Sequence, residues 1–519
     1  NEELSQNSQY FFTEYGFYLQ FVLKGQEARK LWPGKEVIGR PDRNKLEEQK
    51  IKRGVYNQKG GSIMKSKYVI AVSLLLIFGL GTGAVVAQPA YELIKWNQPM
   101  AIHERIGAEQ YVLPQGWKEA IAGVTKIKVS NFGALKHDPA TVANAQRFEE
   151  LTGVKVELLP WAEAPLVAKT TSIFAAKSKS VDVLCYDHPT TYIQMAIGGW
   201  LHPVDAIWND PEAWKLYAPP VKEGLLAPDD HIYGSIGQTK TMMLFYRPSL
   251  VPKPPETWME LREIAKKITT PNIWGFVFAA GGEMDIVYPL RDMVYSQGGR
   301  VVDTKRQIIV IDTPEGRRAW KMLCDMVLTD KSAPTSVLEY DWMSASNMFA
   351  MGKAAMVMTH TVDANRFQDP GKAPGIEGDW AVAAPPKWDK TMPDDYHASY
   401  FDIDGLMINN FINDNQKAAA MLFVDFMRSY EASYRELIME GNEAAVISVY
   451  DSPAAQKVPV PEARKAAMSR AVLEPFPPAG RMLTDIMMEY FAYAITGEMS
   501  PMEALEECQE MFDEYGVPE

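Results

Sequence analysis

Flat aromatic rings and planar polar side chains recur in this sequence where a sheet-built protein presents its strand ends. Asn131 and Phe132 follow the apolar run 127–129, Trp161 and Glu163 follow 154–159, and Tyr186, Asp187 and His188 follow 181–185. Tyr233, Gln238 and Lys240 lie along 233–247, and Gly281, Gly282 and Glu283 follow 274–279. Trp342 precedes a helical stretch, His360 and Asp363 follow 354–358, and Tyr400, Phe401, Asp402 and Asp404 precede the strand at Leu406. Rings of this kind stack on the weakly apolar C–H faces of a sugar, and planar Asp, Glu, Asn, Gln and Arg groups pair with its hydroxyls. A polar group left unpaired in an enclosed site costs about 1–3 kcal/mol, and that cost gives specificity. Ligands of open parallel sheets collect at the carboxyl ends of the strands. The residues expected to touch a ligand are therefore Phe132, Trp161, Tyr186, Asp187, Tyr233, Gln238, Glu283, Trp342, His360, Tyr400 and Asp402.

Other chemistries fit less well. Asp187, Glu283, Asp402 and Asp404 would also suit a cation such as a polyamine, and the same frame could carry a peptide or a metal chelate. Asp402 and Asp404 stand two apart, so on a strand they share a face, which does not by itself make an acid and a base. The chain has no G-x-S-x-G elbow, no H-E-x-x-H and no phosphate loop, so a periplasmic hydrolase is the weakest reading. His188 and His360 lack clustered partners, and we expect hydrogen-bonded loop residues, no metal and no cofactor. Cys185, Cys324 and Cys508 are far apart and are expected as isolated buried thiols. Trp208, Trp214 and the 27 methionines read as packing, and Asp182 as structural.

The elements that must position these groups alternate. A strand at 127–129, a helix over 141–151 stopped by Gly153, a strand at 154–159, a helix over 166–176 and a strand at 181–185 imply parallel pairing with right-handed crossovers. Further helices are expected over 258–268 behind Thr257, 287–297, 315–328 behind Thr313-Pro314, 416–429, 431–439, 482–496 and 501–515, with strands at 274–279 and 354–358. Three extended stretches, 241–246, 380–386 and 444–450, read as crossings between two bodies.

At 519 residues the chain is too long for one ordinary core. With 47% hydrophobic and 23% charged residues it is globular, and a net charge of -13 excludes a basic nucleic-acid surface and adhesion to an anionic membrane. Lys65 and Lys67, an apolar run over 69–80 and Ala84-Val85-Val86-Ala87 read as a cleavable secretion signal over 64–87, with no cysteine for a lipid anchor; an uncleaved membrane anchor over 68–87 is the rival, and the three glycines and small-residue end favour cleavage. Residues 1–63 precede that signal. Lys59-Gly60-Gly61 could be a ribosome-binding sequence read as coding, which would make Met64 the start; N-terminal sequencing that found a mature chain beginning well before Met64 would end this idea. Residues 88–123 form a polar, aromatic-spotted segment to which the sequence assigns no role, with a short helix near 117–121.

Five blocks in order carry a resemblance. They are Phe148-Glu149-Glu150-Leu151-Thr152-Gly153-Val154-Lys155-Val156; Val181-Asp182-Val183 with Gly198-Gly199-Trp200-Leu201-His202-Pro203-Val204; Phe245-Tyr246-Arg247 with Pro254-Pro255-Glu256-Thr257-Trp258; Phe349-Ala350-Met351-Gly352-Lys353-Ala354-Ala355-Met356; and the helix over 418–427. Together, over about 124–515, they resemble the family 1 extracellular solute-binding proteins of ABC importers, the maltose-binding-protein-like group. The resemblance implies an α/β, two-lobed periplasmic-binding-protein fold of type II, with lobes joined by three hinge crossings. It implies a monomer that captures a small ligand, most of all a sugar or oligosaccharide, in the periplasm or outside the cell and delivers it to ABC permease subunits. Tyr186 matches a family position that can carry a stacking aromatic. His360 stands where the family often has Trp, and Asp402 and Asp404 where it often has small residues. The expected boundaries are 124–240 with 386–443 for the first lobe, and 241–385 with 444–519 for the second.

Overall fold

The computed structural model describes residues 88–515 apart from 133–138, 162–165, 188, 228, 283–285, 304–307, 398, 474–476 and 478. The expected leader over 1–63 and secretion signal over 64–87 lie outside the described residues, as do Glu163, His188 and Glu283; Phe132 and Asp187 are described by their backbone alone.

Local signals set most elements. The hydroxyl of Thr257 accepts from the Glu260 N–H at 3.1 Å and starts the helix Trp258–Ile268. Thr313 does the same for Pro314–Leu328, accepting from the Gly316 N–H at 3.0 Å with proline in the first turn. The helix Pro139–Thr152 buries Ala145 and Phe148 and stops at Gly153, whose φ is +74°.

The strands are β1 (Lys126–Phe132), β2 (Lys155–Trp161), β3 (Val183–Asp187), β4 (Gly234–Tyr246), β5 (Val302–Asp303), β6 (Ile308–Ile309), β7 (Met356–His360), β8 (Ala381–Ala383), β9 (Ser399–Ile408) and β10 (Ala471–Val472). Eight share one sheet with the path β2-β1-β3-β9-β4-β7, while β8 pairs with β4, β10 with β9, and β5 with β6 apart. The pairs β1–β2 and β1–β3 are parallel, as the alternation of strands and helices demands. Along β3, β9, β4 and β7 each strand runs antiparallel to its neighbour.

Two main bodies of core flank this sheet, one for each lobe. The first gathers Ile127, Phe148, Val183, Ile236, Ile403, Leu406 and Phe423. The second gathers Leu244, Trp258, Leu290, Trp320, Met358 and Phe491, with a smaller cluster around Phe245, Phe349 and Phe367 beside it. The segment 88–123 is part of the first body: Ile94, Trp96, Ile102, Ile106, Tyr111 and Ala120 enter its core. All three cysteines are buried and none forms a disulfide. Trp208 and Trp214 stack at 4.2 Å, and Asp182 accepts from the Lys128 N–H, both structural roles. Among the described residues no helix is long and apolar enough to cross a membrane.

The chain passes between the bodies three times, but two passages lie away from their expected places. The first is β4, with Ile236 in one core and Leu244 in the other. The stretch 380–386 is not the second: it holds β8, an edge strand on Leu244–Tyr246 within the second body. The second passage is β9, from Tyr400 in the second core to Ile403 and Leu406 in the first. Nor is 444–450 the third, because Ala444, Ala445, Val446, Val449 and Tyr450 all belong to the first core. The third runs between Met468 in the first core and Leu483 in the second. Both misplaced stretches are apolar because they are buried beside a body, which in sequence looks the same as crossing. The expected strand over 274–279 survives only as isolated bridges at Trp274 and Val277; the Phe276 and Ala280 N–H groups donate to the Ser332 and Val337 carbonyls instead.

The three passages meet side by side. β10 pairs with Ser399 and Tyr400, and the Ser399 hydroxyl accepts from the Met242 N–H at 3.0 Å and donates to the Met242 carbonyl at 2.7 Å. The joint between the lobes is this three-stranded ribbon.

Candidate functional site

Register decides which side chains share a face of the ribbon. Gln238 lies opposite Asp404 and Lys240 opposite Asp402, and β3 adds Asp187 opposite Asp404. His360 on β7 lies opposite Met242. Alternation puts Tyr400 on the Asp402 face and Tyr186, opposite Gly405, on the other. One face thus carries three rows about 7 Å apart: His360 with Tyr400, Lys240 with Asp402, and Gln238 with Asp404 beside the register position of Asp187.

A bulge makes this face possible. The register slips between Ile236 and Gln238, so two residues of β4 oppose one of β9. Ile236 packs into the first core, and unbroken alternation would send Gln238 and Lys240 after it. The extra residue, Gly237, turns both onto the opposite face.

Gln238, Lys240, Asp402 and Asp404 belong to neither core, whereas Tyr400 in the first row belongs to the second. Asp404 accepts from the Gln238 side-chain amide at 2.6 Å and pairs with the Lys240 ammonium at 2.9 Å. Lys240 keeps 28% of its side chain exposed, whereas Asp404 keeps 5%. Asp402 is buried, and one of its oxygens accepts from the Ile403 N–H at 2.8 Å.

An aromatic cluster closes one end. Trp342 lies 5.0 Å from the His360 ring, and Tyr288 lies 5.8 Å from His360 and 4.5 Å from Tyr400. The Arg291 guanidinium sits 4.8 Å from the Tyr400 ring centre. Tyr400 is buried beneath these neighbours, while Trp342 is half-buried and remains the accessible ring. Asp292 accepts from the Tyr400 N–H at 2.8 Å; burial pushes its carboxyl up to about 8, although that hydrogen bond and Arg291 oppose the shift.

Four of the buried carboxylates on or near the ribbon face a cation. Asp404 has Lys240, Glu443 has Arg464 at 3.3 Å, Asp363 has Arg366 at 3.4 Å, and Asp292 has the charge of Arg291. Among the described residues no group of three His, Cys, Asp or Glu stands ready for a metal.

Of the residues expected to touch a ligand, Gln238, Trp342, His360, Tyr400 and Asp402 come together here, and Asp187 joins them by register. Others do not. The Tyr186 hydroxyl donates to the Ser235 carbonyl at 3.0 Å inside the first core. The Tyr233 hydroxyl donates to Asp229 at 2.7 Å on a loop before β4. Phe132 and Trp161 are register partners at the far ends of β1 and β2, where Lys169 lies 4.2 Å from the Trp161 ring centre. Asp402 and Asp404 sit inside a strand rather than ahead of one. Tyr288, Arg291 and Asp292 escape a reading of the sequence. Their signal is a helix, Val287–Tyr295, buried along its whole length yet carrying an arginine and an aspartate.

Comparison with known proteins fits this geometry. The sequence profile of the family described as bacterial extracellular solute-binding protein matches residues 135–434. The maltotriose-binding protein of Pyrococcus abyssi (strain GE5 / Orsay) is 23% identical over 291 residues, which are 55% of this chain and 59% of that protein. Among solved structures, maltose-bound MalE3 of T. maritima superposes with a TM-score of 0.64 at 22% identity, covering 75% of this chain and 99% of that one. A solute-binding protein of Agrobacterium radiobacter K84 in complex with ribitol gives 0.64 at 22% identity over 76% and 99%. At such identities the likeness is one of fold, two lobes on a shared sheet.

Proposed function

Because the chain belongs to the bacterial extracellular solute-binding proteins, we propose that it captures a neutral, hydroxyl-rich small molecule, a sugar or polyol, on the ribbon between its lobes and hands it to the permease subunits of an ABC importer. The observation that carries this reading is the paired charge of the site. Asp404 and Lys240 neutralise one another, so this pair offers an acceptor and a donor for hydroxyls at no net charge, with Asp402 beside it as a further acceptor. Trp342 supplies a ring for a C–H face. The relatives' bound maltose and ribitol, and the curated relative's named maltotriose, are neutral polyhydroxylated molecules.

The reading includes secretion through the segment 64–87, action as a monomer, no nucleic-acid partner and binding without turnover. A cationic ligand would need the carboxylates unpaired. Thermal unfolding with maltotriose, ribitol and spermidine separates the two. A ligand at a hundred times its Kd stabilises by about 2.7 kcal/mol. We expect a sugar or polyol to raise the melting temperature and spermidine to leave it unchanged; a rise with spermidine alone refutes the neutral-ligand reading, and hydrolysis of a bound sugar refutes binding without turnover.

A further inference from the structure

The helix that leads into the third passage begins with a backbone strain that the ligand site does not use. Val460 sits at φ +51°, in the left-handed region, directly before Pro461. A β-branched residue is rarely found there, and a following proline disfavours helical values further. Such strain persists only where surrounding contacts hold it.

Those contacts join the two lobes. The helix Pro461–Ser469 straddles both bodies: Met468 enters the first core, while Ala467, Ala463 and Val460 pack on the Phe245–Phe367 cluster of the second lobe. Arg464, fully buried on this helix, donates to the Pro459 carbonyl at 3.0 Å, the Gly441 carbonyl at 2.8 Å and Glu443 at 3.3 Å. Its remaining nitrogen donates to the Asn365 side-chain carbonyl at 3.3 Å. Asn365 lies in the second lobe, on the helix Asp363–Phe367, and its amide donates to the Glu440 carbonyl of the first lobe at 3.2 Å. Gly441, at φ +74°, lies so close that a Cβ there would overlap the Asn365 amide. One side chain of the second lobe is therefore clasped by a loop of the first and by the passage helix.

We propose that Asn365 and Arg464 form a latch that holds the lobes in the arrangement seen here, with the strained Val460 as the spring it restrains. The latch rests on the two-lobed clamp reading and adds to it a contact outside the ligand rows. Breaking it removes about two hydrogen bonds and lets the strain relax by moving the passage helix.

The test is the distance between lobes in the full chain, read by double electron–electron resonance between spin labels at Lys179→Cys and Met259→Cys, both exposed. Asn365→Ala is expected to lower the ratio of the wild-type distance to all others by at least about fivefold, the effect of one typical hydrogen bond of the two it loses. Val460→Gly added to Asn365→Ala is expected to restore most of that ratio, because glycine accepts the left-handed conformation without strain. A distribution for Asn365→Ala that superposes on the wild type overturns the latch, and a double variant no different from Asn365→Ala overturns the spring. Maltotriose and ribitol added to the wild type test the clamp separately: an unresponsive wild type beside a shifted Asn365→Ala variant would leave the latch standing and remove the clamp for those ligands.

Discussion

Two buried polar clusters in this molecule look alike on paper and differ in what surrounds them. In the first lobe Asp425 pairs with Arg105 at 2.6 Å and with Arg428 at 2.8 Å, and all three are fully buried. Tyr111 donates to the same carboxylate at 2.6 Å, and Trp96 and Trp208 lie beside the two guanidinium groups. On the ribbon Asp404 pairs with Lys240, which stays partly exposed, and with Gln238, which is half-buried. The first cluster is walled by core on every side, and it pins the segment 88–123 to the lobe. The second reaches solvent through Lys240 and Gln238. One member of the ribbon pair still reaches solvent, as a group that is to meet a ligand must, and no member of the first cluster does.

Removing one partner of each cluster breaks the comparison most sharply on the walled side. Asp425→Ala leaves Arg105 and Arg428 buried and uncompensated, an expected loss of about 3–5 kcal/mol in unfolding free energy by urea titration. The fraction that remains folded should respond to ligand as the wild type does. A loss under about 1 kcal/mol would mean that water reaches this cluster.

Trp342→Ala acts on the open side. It removes the accessible ring above His360, and affinity for the responding sugar or polyol should fall by about 1–3 kcal/mol by calorimetry, the range of a buried aromatic anchor. Unchanged affinity would move the ligand away from the aromatic end of the rows. Lys240→Met follows with about 1–2 kcal/mol of affinity lost and less than about 1 kcal/mol of stability, since the pair is partly solvated. The same variant unpairs Asp404, so spermidine should begin to bind; if it does not, charge neutrality is not what rejects cations.

The two clusters also differ in how much of each the sequence shows. Helix starts such as Thr257 and Thr313 are legible because a cap is a contact three residues long. The register face is half legible. Alternation from Asp402 to Asp404 is available, and the same counting separates Tyr186 from Asp187, yet Tyr186 attracts attention as an aromatic at a strand end. The bulge at Gly237 is hidden, because a lone glycine inside Ser235-Ile236-Gly237-Gln238 fits a bulge and an ordinary strand equally. The strand β9 reads short because two aspartates lower strand propensity, and Lys240 and Gln238, 160 or more residues away, supply what offsets them. The Arg105–Asp425 pair spans 320 residues, and nothing local announces it.

The weakest effect separates the clusters by sign rather than size. Burial would raise Asp425, but Arg105 and Arg428 flank it and hold it below the usual carboxylate range. Its contribution is present above the unfolded value of 3.8 and is lost as pH falls through its lower folded value. Glu443, beside the joint, goes the other way: burial pushes it up to about 7, with Arg464 and Lys240 opposing the rise and Asp363 adding to it. Between its unfolded value of 4.5 and about 7 the folded protein holds the extra proton, so the joint loses stability as pH rises through that window and regains it on acidification. Glu443→Gln fixes the uncharged form and keeps an acceptor for Arg464. We expect the wild type to gain stability in urea unfolding between pH 8 and pH 5, and the variant to gain less. Equal slopes in the two proteins would mean that Glu443 stays ionised in the folded joint, making it an architectural pair of the Asp425 kind.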